Sequence, residues 1–163
     1  MTLIALAFTA PLNPPSTPAS ERLTRAQLQA GLHRKVRFPQ EFIPAIEACE
    51  VLSDKDNVVE RHAIFKPGYH KKDTIEKVRT WGDVWHDFEN DDGTVIRNIV
   101  SEDTKGDGEI YVTFTFEFRI PNLKEDTPEY EEQKKKLEAM GRSGVDGTIQ
   151  TIRTMVKDGR IKV

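Results

Sequence analysis

Apolar and polar positions alternate with a period of two through much of residues 47–120, and with a period of three to four on either side. The clearest stretch lies near its end. Ile110, Val112, Phe114, Phe116 and Phe118 alternate with Tyr111, Thr113, Thr115, Glu117 and Arg119. One face is strongly apolar and the other mixed, as in a strand of a sheet packed on one side. The pattern predicts strands over 47–53, 58–66, 72–80, 84–89, 94–102 and 108–120, with a further strand over 3–10. The gaps carry turn chemistry: Asp54-Lys55-Asp56-Asn57, Pro67-Gly68, Asn90-Asp91-Asp92-Gly93 and Lys105-Gly106-Asp107-Gly108. Gaps this short favour hairpins, so the sheet is expected to be antiparallel.

Residues 11–20 hold four prolines and read as an extended connection. Thr24 followed by Gln27 has capping-box spacing and predicts a helix over 25–36. Pro39 is placed to open a second short helix over 39–45. At the far end, Thr127-Pro128 forms an N-cap and N1 pair, and Gly159 is a C′ stop, which predicts a helix over 128–158. Leu137, Met140, Gly141, Gly144, Val145, Thr148, Ile149, Ile152, Met155 and Val156 recur along it at spacings of three and four, so one stripe faces the sheet. A single helix cannot cover one whole side of seven strands. A hollow between helix and sheet is therefore expected, and such a hollow is a ligand site.

Composition narrows the function classes. The net charge is −3 and the pI about 5.8. The only dense basic runs, Lys71-Lys72 and Lys134-Lys135-Lys136, sit among acids, which argues against a phosphate backbone as partner. The single cysteine, Cys49, allows no internal disulfide and fits a reducing, cytoplasmic location. Residues 1–10 lack the basic start of a signal peptide and read as strand. No run is long enough to span a bilayer. At 163 residues the chain reads as one domain over 1–163.

Four blocks in order carry a resemblance: Leu23-Thr24-Arg25-Ala26-Gln27-Leu28-Gln29-Ala30-Gly31-Leu32, then Pro39-Gln40-Glu41-Phe42-Ile43-Pro44, then Gly108 to Glu117, then Gly147-Thr148-Ile149-Gln150-Thr151-Ile152-Arg153 with Lys157-Asp158-Gly159-Arg160-Ile161 after it. The chain resembles the fungal AtaL-like family of the START/Bet v 1-like (SRPBCC) superfamily. The resemblance implies an α+β helix-grip fold: a seven-stranded curved antiparallel sheet around a long C-terminal helix. It also implies a cavity for a hydrophobic small molecule, and a place beside fungal specialised-metabolite pathways. The superfamily includes carriers, polyketide cyclases and alkaloid-forming enzymes, so fold does not decide function.

The four histidines, His33, His62, His70 and His86, show no zinc-like spacing, and no phosphate loop or nucleophile elbow is present. No metal or cofactor is expected. Polar residues inside strands are the stronger signal. His62 shares its face with Val58 and Ile64, Glu76 with Thr74 and Val78, His86 with Val84 and Phe88, and Asn98 with Ile96 and Val100. A carboxylate among apolar neighbours is a candidate general base, here Glu76, with His86 or His62 to tune it or relay its proton. Asn98, Trp85, Phe114 and Phe116 are candidate ligand contacts. Gly141 and Gly144 either let helix and sheet approach or leave room for a ligand. Cys49 reads as a small buried hydrophobe. Three functions stay open: an enzyme directing cyclisation, rearrangement or dehydration of a polyketide- or peptide-derived intermediate, a carrier of a hydrophobic ligand, and a scaffold for a protein partner.

Overall fold

The computed structural model describes residues 1–69 and 71–163; His70 lies outside the described residues. Seven strands form one sheet: β1 Thr2–Pro11, β2 Ile46–Lys55, β3 Val58–Phe65, β4 Asp73–Trp81, β5 Trp85–Asn90, β6 Val95–Glu102 and β7 Ile110–Ile120. Two α-helices, α1 Arg25–Arg37 and α2 Pro128–Lys157, and two 3₁₀ turns, Ala19–Glu21 and Pro39–Glu41, complete the described elements. The strand order is β1-β7-β6-β5-β4-β3-β2, and each neighbouring pair is antiparallel. Strands β2 to β7 are therefore a simple meander. β1 returns to pair with β7, so the first two strands sit at opposite edges and residues 12–45 carry the chain across. This is the helix-grip architecture expected from the sequence.

Local chemistry explains most boundaries. Asp56 and Asn57 adopt positive φ, 56° and 60°, between β2 and β3. That is the backbone of a type I′ turn, whose twist matches the flanking strands. The Thr24 side chain accepts from the Gln27 N–H while the Gln27 side chain accepts from the Thr24 N–H, the full capping box at the start of α1. Thr127 caps α2, and Gly159 leaves it at φ 81°. The short helix expected over 39–45 is only a 3₁₀ turn, Pro39–Glu41. Pro44 stops it, because proline lacks the N–H that helix growth needs and biases Ile43 away from helical backbone.

The core forms where α2 crosses β1 and β7. Val112, Phe114 and Phe116 face inward from β7 and are buried with Val145, Ile149, Ile152 and Met155 of α2. α1 packs on α2 through a close approach at Gly31, where an added Cβ would collide with the Ile152 side chain. At Gly141 an added Cβ would lie 2.7 Å from Phe8 and 3.1 Å from Phe116. Gly144 differs: no heavy atom outside its own helix lies within 4 Å of that point. At the opposite edge of the sheet, Val51 and Leu52 of β2 are exposed. The outer face is charged, with Arg97 bridging Asp87 and Glu117.

These contrasts predict opposite outcomes for one substitution. Gly144→Ala should stabilise the fold by about 0.5–1 kcal/mol through helix propensity alone. Gly31→Ala and Gly141→Ala should each destabilise it by about 1–3 kcal/mol, because overpacking outweighs that gain. Urea denaturation of the three variants tests the ordering. Equal effects at all three sites would contradict the packing described.

Candidate functional site

The inward stripe of α1 is Leu28, Leu32, Lys35 and Val36, all buried. Lys35 stands three residues after Leu32 and seven after Leu28, so helical periodicity alone carries it inside. It is 6% exposed. Its Nζ donates to Thr148 Oγ1 on α2 at 3.2 Å. It lies 4.2 Å from the centre of the Phe114 ring and 6.0 Å from that of Phe88. Among the described residues no carboxylate lies within ion-pair distance of it. Burial, and then the nearby Arg61 charge, push its pKa down to about 7, against a weaker upward pull from Glu76. A lysine in this state is partly a neutral amine at physiological pH.

Arg61 is 1% exposed. It sits on the inward face of β3 with Val59 and Ala63 and lies directly opposite Glu76 of β4. Its Nε and Nη2 both donate to Glu76 Oε2, at 2.8 and 2.6 Å. Its Nη1 donates to the carbonyls of Lys35 and Val36, at 2.9 and 2.6 Å. Those carbonyls belong to the last turn of α1, where no intrahelical donor remains. One guanidinium therefore satisfies a carboxylate and a helix end together, and also lies 5.4 Å from the Phe88 ring centre. Glu76 Oε1 accepts no hydrogen bond from any described residue.

A second polar group lies further along the inner face. His86 is buried, with Nδ1 3.0 Å from Thr80 Oγ1 and its ring 5.3 Å from that of His33 in a T-shaped contact. Burial first, then the charges of His33 and Lys35, hold its pKa down at about 4, so it is neutral at physiological pH. Asn98 lies opposite His86 on one side and Phe114 on the other. It is 1% exposed, and its Oδ1 has no hydrogen-bond partner among the described residues. A buried acceptor left unpaired is costly and marks a place a ligand donor could fill.

Several sequence expectations change here. His62 lies on the outer face, half-buried, with Nε2 3.3 Å from Asp73 Oδ2. Its neighbours Val58 and Ile64 misled, because the outer face also carries aliphatic residues and the true inward set is Val59, Arg61 and Ala63. His86 is inward but does not adjoin Glu76. It pairs with Thr80, four residues further along β4, with the Val78–Phe88 pair between. Four residues of strand span about 13 Å, too far for a direct proton relay. Trp85 is also outward, 37% exposed and packed on Trp81 with ring centres 6.0 Å apart. Its neighbours His86 and Phe88 take the inner side, so strand alternation sends Trp85 out. Glu76, Asn98, Phe114 and Phe116 are inward as expected. Gly141 is filled by Phe8 and Phe116 and leaves no room; Gly144 keeps open space beside it. Cys49 is half-buried, and burial pushes its thiol pKa up, away from a reactive thiolate.

Lys35 and Arg61 escaped the sequence reading. Their signals were present: a lysine in register with Leu28 and Leu32, and an arginine alternating with Val59 and Ala63. Two surface depressions lie elsewhere. One, of about 370 Å³, is lined by Ala7 to Ala10, Arg142, Val145 and Asp146. The other, of about 250 Å³, lies on the outer face around Glu60, Ile75, Lys77 and Glu89. Neither is lined by Lys35, Glu76, His86 or Asn98. Among the described residues no cluster of His, Cys, Asp and Glu could hold a metal ion, and no helix is long and apolar enough to cross a membrane.

A family model described as "AtaL: Acetylaranotin biosynthesis cluster protein L" matches residues 6–159. The comparison with curated proteins returns no match. The crystal structure of the Zhui aromatase/cyclase from Streptomyces sp. R1128 is similar at a TM-score of 0.66 and 11% identity, over 98% of this chain and 97% of that one. The crystal structure of Ara h 8.0201 is similar at a TM-score of 0.56 and 14% identity, over 96% of this chain and 99% of that one. At these identities the likeness is one of fold.

The state of Lys35 makes stability depend on pH with a definite sign. Well below pH 7 the lysine is charged whether folded or unfolded; well above its ordinary value of 10.5 it is neutral in both. Between about 7 and 10.5 the unfolded chain holds the extra proton, so this group makes stability rise with pH, by up to about 1.4 kcal/mol per unit. Lys35→Met removes that slope. The variant should be more stable than the parent at pH 7, with the gap closing towards pH 10. Denaturation curves that stay parallel across this range would contradict the burial of a titrating amine. Arg61→Met should act the other way, destabilising the fold by about 3–5 kcal/mol because it leaves Glu76 charged and unpaired.

Proposed function

The chain belongs to the AtaL family, and we propose that it is a cofactor-free enzyme acting on a reactive, largely apolar intermediate of specialised metabolism. The substrate sits between α2 and the inner face of β3 to β7, and the reaction is a cyclisation, rearrangement or dehydration. One observation carries this reading. The interior holds a lysine with no counter-ion among the described residues, beside an arginine–carboxylate pair, where apolar side chains of the same volume would pack more stably. A carrier needs shape and apolar area, and gives no use to a costly charge of this kind. The fold relative from Streptomyces is an aromatase/cyclase, which makes ring closure a natural chemistry for such an interior.

The residues divide the work by position. Phe114, Phe116 and Phe88 give the apolar surface that orients the substrate and excludes water. Asn98 Oδ1 accepts from a substrate hydroxyl or amide, relieving its own unpaired state. Glu76 keeps Oε1 for a proton while Oε2 is held by Arg61, so the base is positioned by the same contact that fixes the end of α1. His86, neutral and apart from Glu76, shapes the far wall. No metal or organic cofactor enters this scheme.

The test uses the intermediate that accumulates in a producing strain lacking this gene. Purified protein added to that extract should convert one compound into an isomer or a dehydrated product, followed by liquid chromatography and mass spectrometry. Glu76→Gln should lower the rate by about 10²-fold or more, the usual scale for losing a general base. Circular dichroism checks that the variant is folded. An unchanged extract, with the same compound merely retained by the protein, would make it a carrier.

A further inference from the structure

We propose that Lys35 is a carbonyl-capturing amine, reached along the Gly144 side of α2, which joins an aldehyde or ketone of the substrate as a Schiff base. The proposal rests on the interior substrate position argued above and names the functional group held there. Four features of the geometry point to it. Among the described residues the Nζ has one hydrogen-bond partner, Thr148 Oγ1, and otherwise faces the Phe114 and Phe88 rings. The nearby carboxylate, Glu76, spends its Oε2 on Arg61 rather than on the lysine. Gly144 lies one helical turn before Thr148, half-buried, with open space where a side chain would stand. Asn98 Oδ1, buried and unpartnered, lies on the same inner face beside Phe114, a second polar anchor for the same molecule.

The charged groups around the amine support the chemistry. Arg61 on β3 disfavours a positive charge on Lys35; Glu76 on β4 favours it less strongly. His86 on β5 is neutral at physiological pH, and its own pKa is lowered by the Lys35 charge. Desolvation together with a neighbouring cation is a known physical route to a nucleophilic lysine. A purely structural lysine at this position would be better replaced by a methionine.

The step balances without any redox partner. The amine lone pair adds to the carbonyl carbon, forming the C–N bond while the carbonyl π pair moves to oxygen. Thr148 Oγ1, already in contact with Nζ, relays one nitrogen proton to that oxygen to give a carbinolamine. The nitrogen lone pair then forms C=N as the C–O bond breaks, and the hydroxyl leaves as water with the second nitrogen proton. Protonated by solvent, this imine draws electrons from the adjacent carbon. A C–H there becomes acidic and Glu76 Oε1 takes the proton. The enamine carbon then attacks a second carbonyl carbon of the substrate, whose π pair moves to oxygen and takes that proton back. Water hydrolyses the resulting iminium to free the ring product and Lys35.

Trapping tests this on the full chain with benzaldehyde as probe and sodium cyanoborohydride as the added reductant. At pH 7, peptide mapping by mass spectrometry should find the reduced benzyl adduct first on Lys35, at a rate about 10-fold or more above the mean of the other lysines. Lys35→Met should lose that fast phase. Gly144→Leu, a favourable helix substitution, should stay folded and slow it severalfold. Modification spread over surface lysines with Lys35 untouched would overturn the proposal; a fast phase undiminished in Gly144→Leu would overturn the route. Turnover of the accumulated intermediate separates this idea from the enzyme reading. If Lys35→Met is as active as the parent, the Schiff base falls and the enzyme reading stands. If Lys35 is labelled but no form of the protein changes the intermediate, the enzyme reading falls and the amine's reactivity stands.

Discussion

The Arg61 guanidinium is the contact on which the interior depends. It is almost wholly removed from water, and a charge in that position is tolerable only when its donors are taken. Glu76 takes two, and the last carbonyls of α1 take a third. The same contacts answer another need, because the C-terminal carbonyls of a helix laid against a sheet have no partner of their own. Neither side is stable without the other. β3, β4 and α1 are consequently tied at one point, and α1 cannot slide along the sheet without stranding both a charge and a helix end.

Lys35 follows from this arrangement. Its carbonyl is one of those held by Arg61, so its backbone position is fixed by the guanidinium. Its side chain then has little choice. Helical periodicity points it inward, Thr148 offers a hydroxyl to its Nζ, and the charge that holds its backbone also makes its own ionisation harder. An arginine that organises the end of a helix therefore tunes an amine on the same turn. Function and architecture share one group here, so their separation by mutation needs care: Lys35 can be changed with the scaffold kept, whereas Arg61 cannot.

The fold was readable because its signals are local. The Thr24–Gln27 box, the Asp56-Asn57 turn, the alternation through Phe114 and Phe116, and Gly159 after α2 each act over a few residues and each determined its element. The second short helix failed on an equally local cause, Pro44. The site was less readable because it is assembled across elements. Apolar flanks identified the inward face for Glu76, His86 and Asn98 but chose the wrong face for His62, where Val58 and Ile64 are partly exposed aliphatics. In β3 the inward set includes Arg61, a residue whose sequence context looks solvent-facing until its partner across the sheet is known. Lys35 was hidden for the same reason: a charged residue on an amphipathic helix reads as surface unless its angular position is compared with Leu28 and Leu32.

The structural relatives sharpen the distinction between scaffold and chemistry. At 11% identity and a TM-score of 0.66, almost every side chain differs while the path of the chain is kept. A shared chain path of this kind specifies no reaction. Chemistry must then come from the few inward positions that break the apolar pattern. In this chain those positions include Lys35, Arg61, Glu76, His86, Asn98 and Thr148, all buried. Each costs stability relative to an aliphatic side chain of similar size unless fully paired. Arg61 and Glu76 offset that cost by joining each other and α1. Lys35 and Asn98 do not, because one keeps an amine without a counter-ion and the other an acceptor without a donor. The unpaired members of a buried polar set can still gain from a further molecule, and here both border the Phe114 ring.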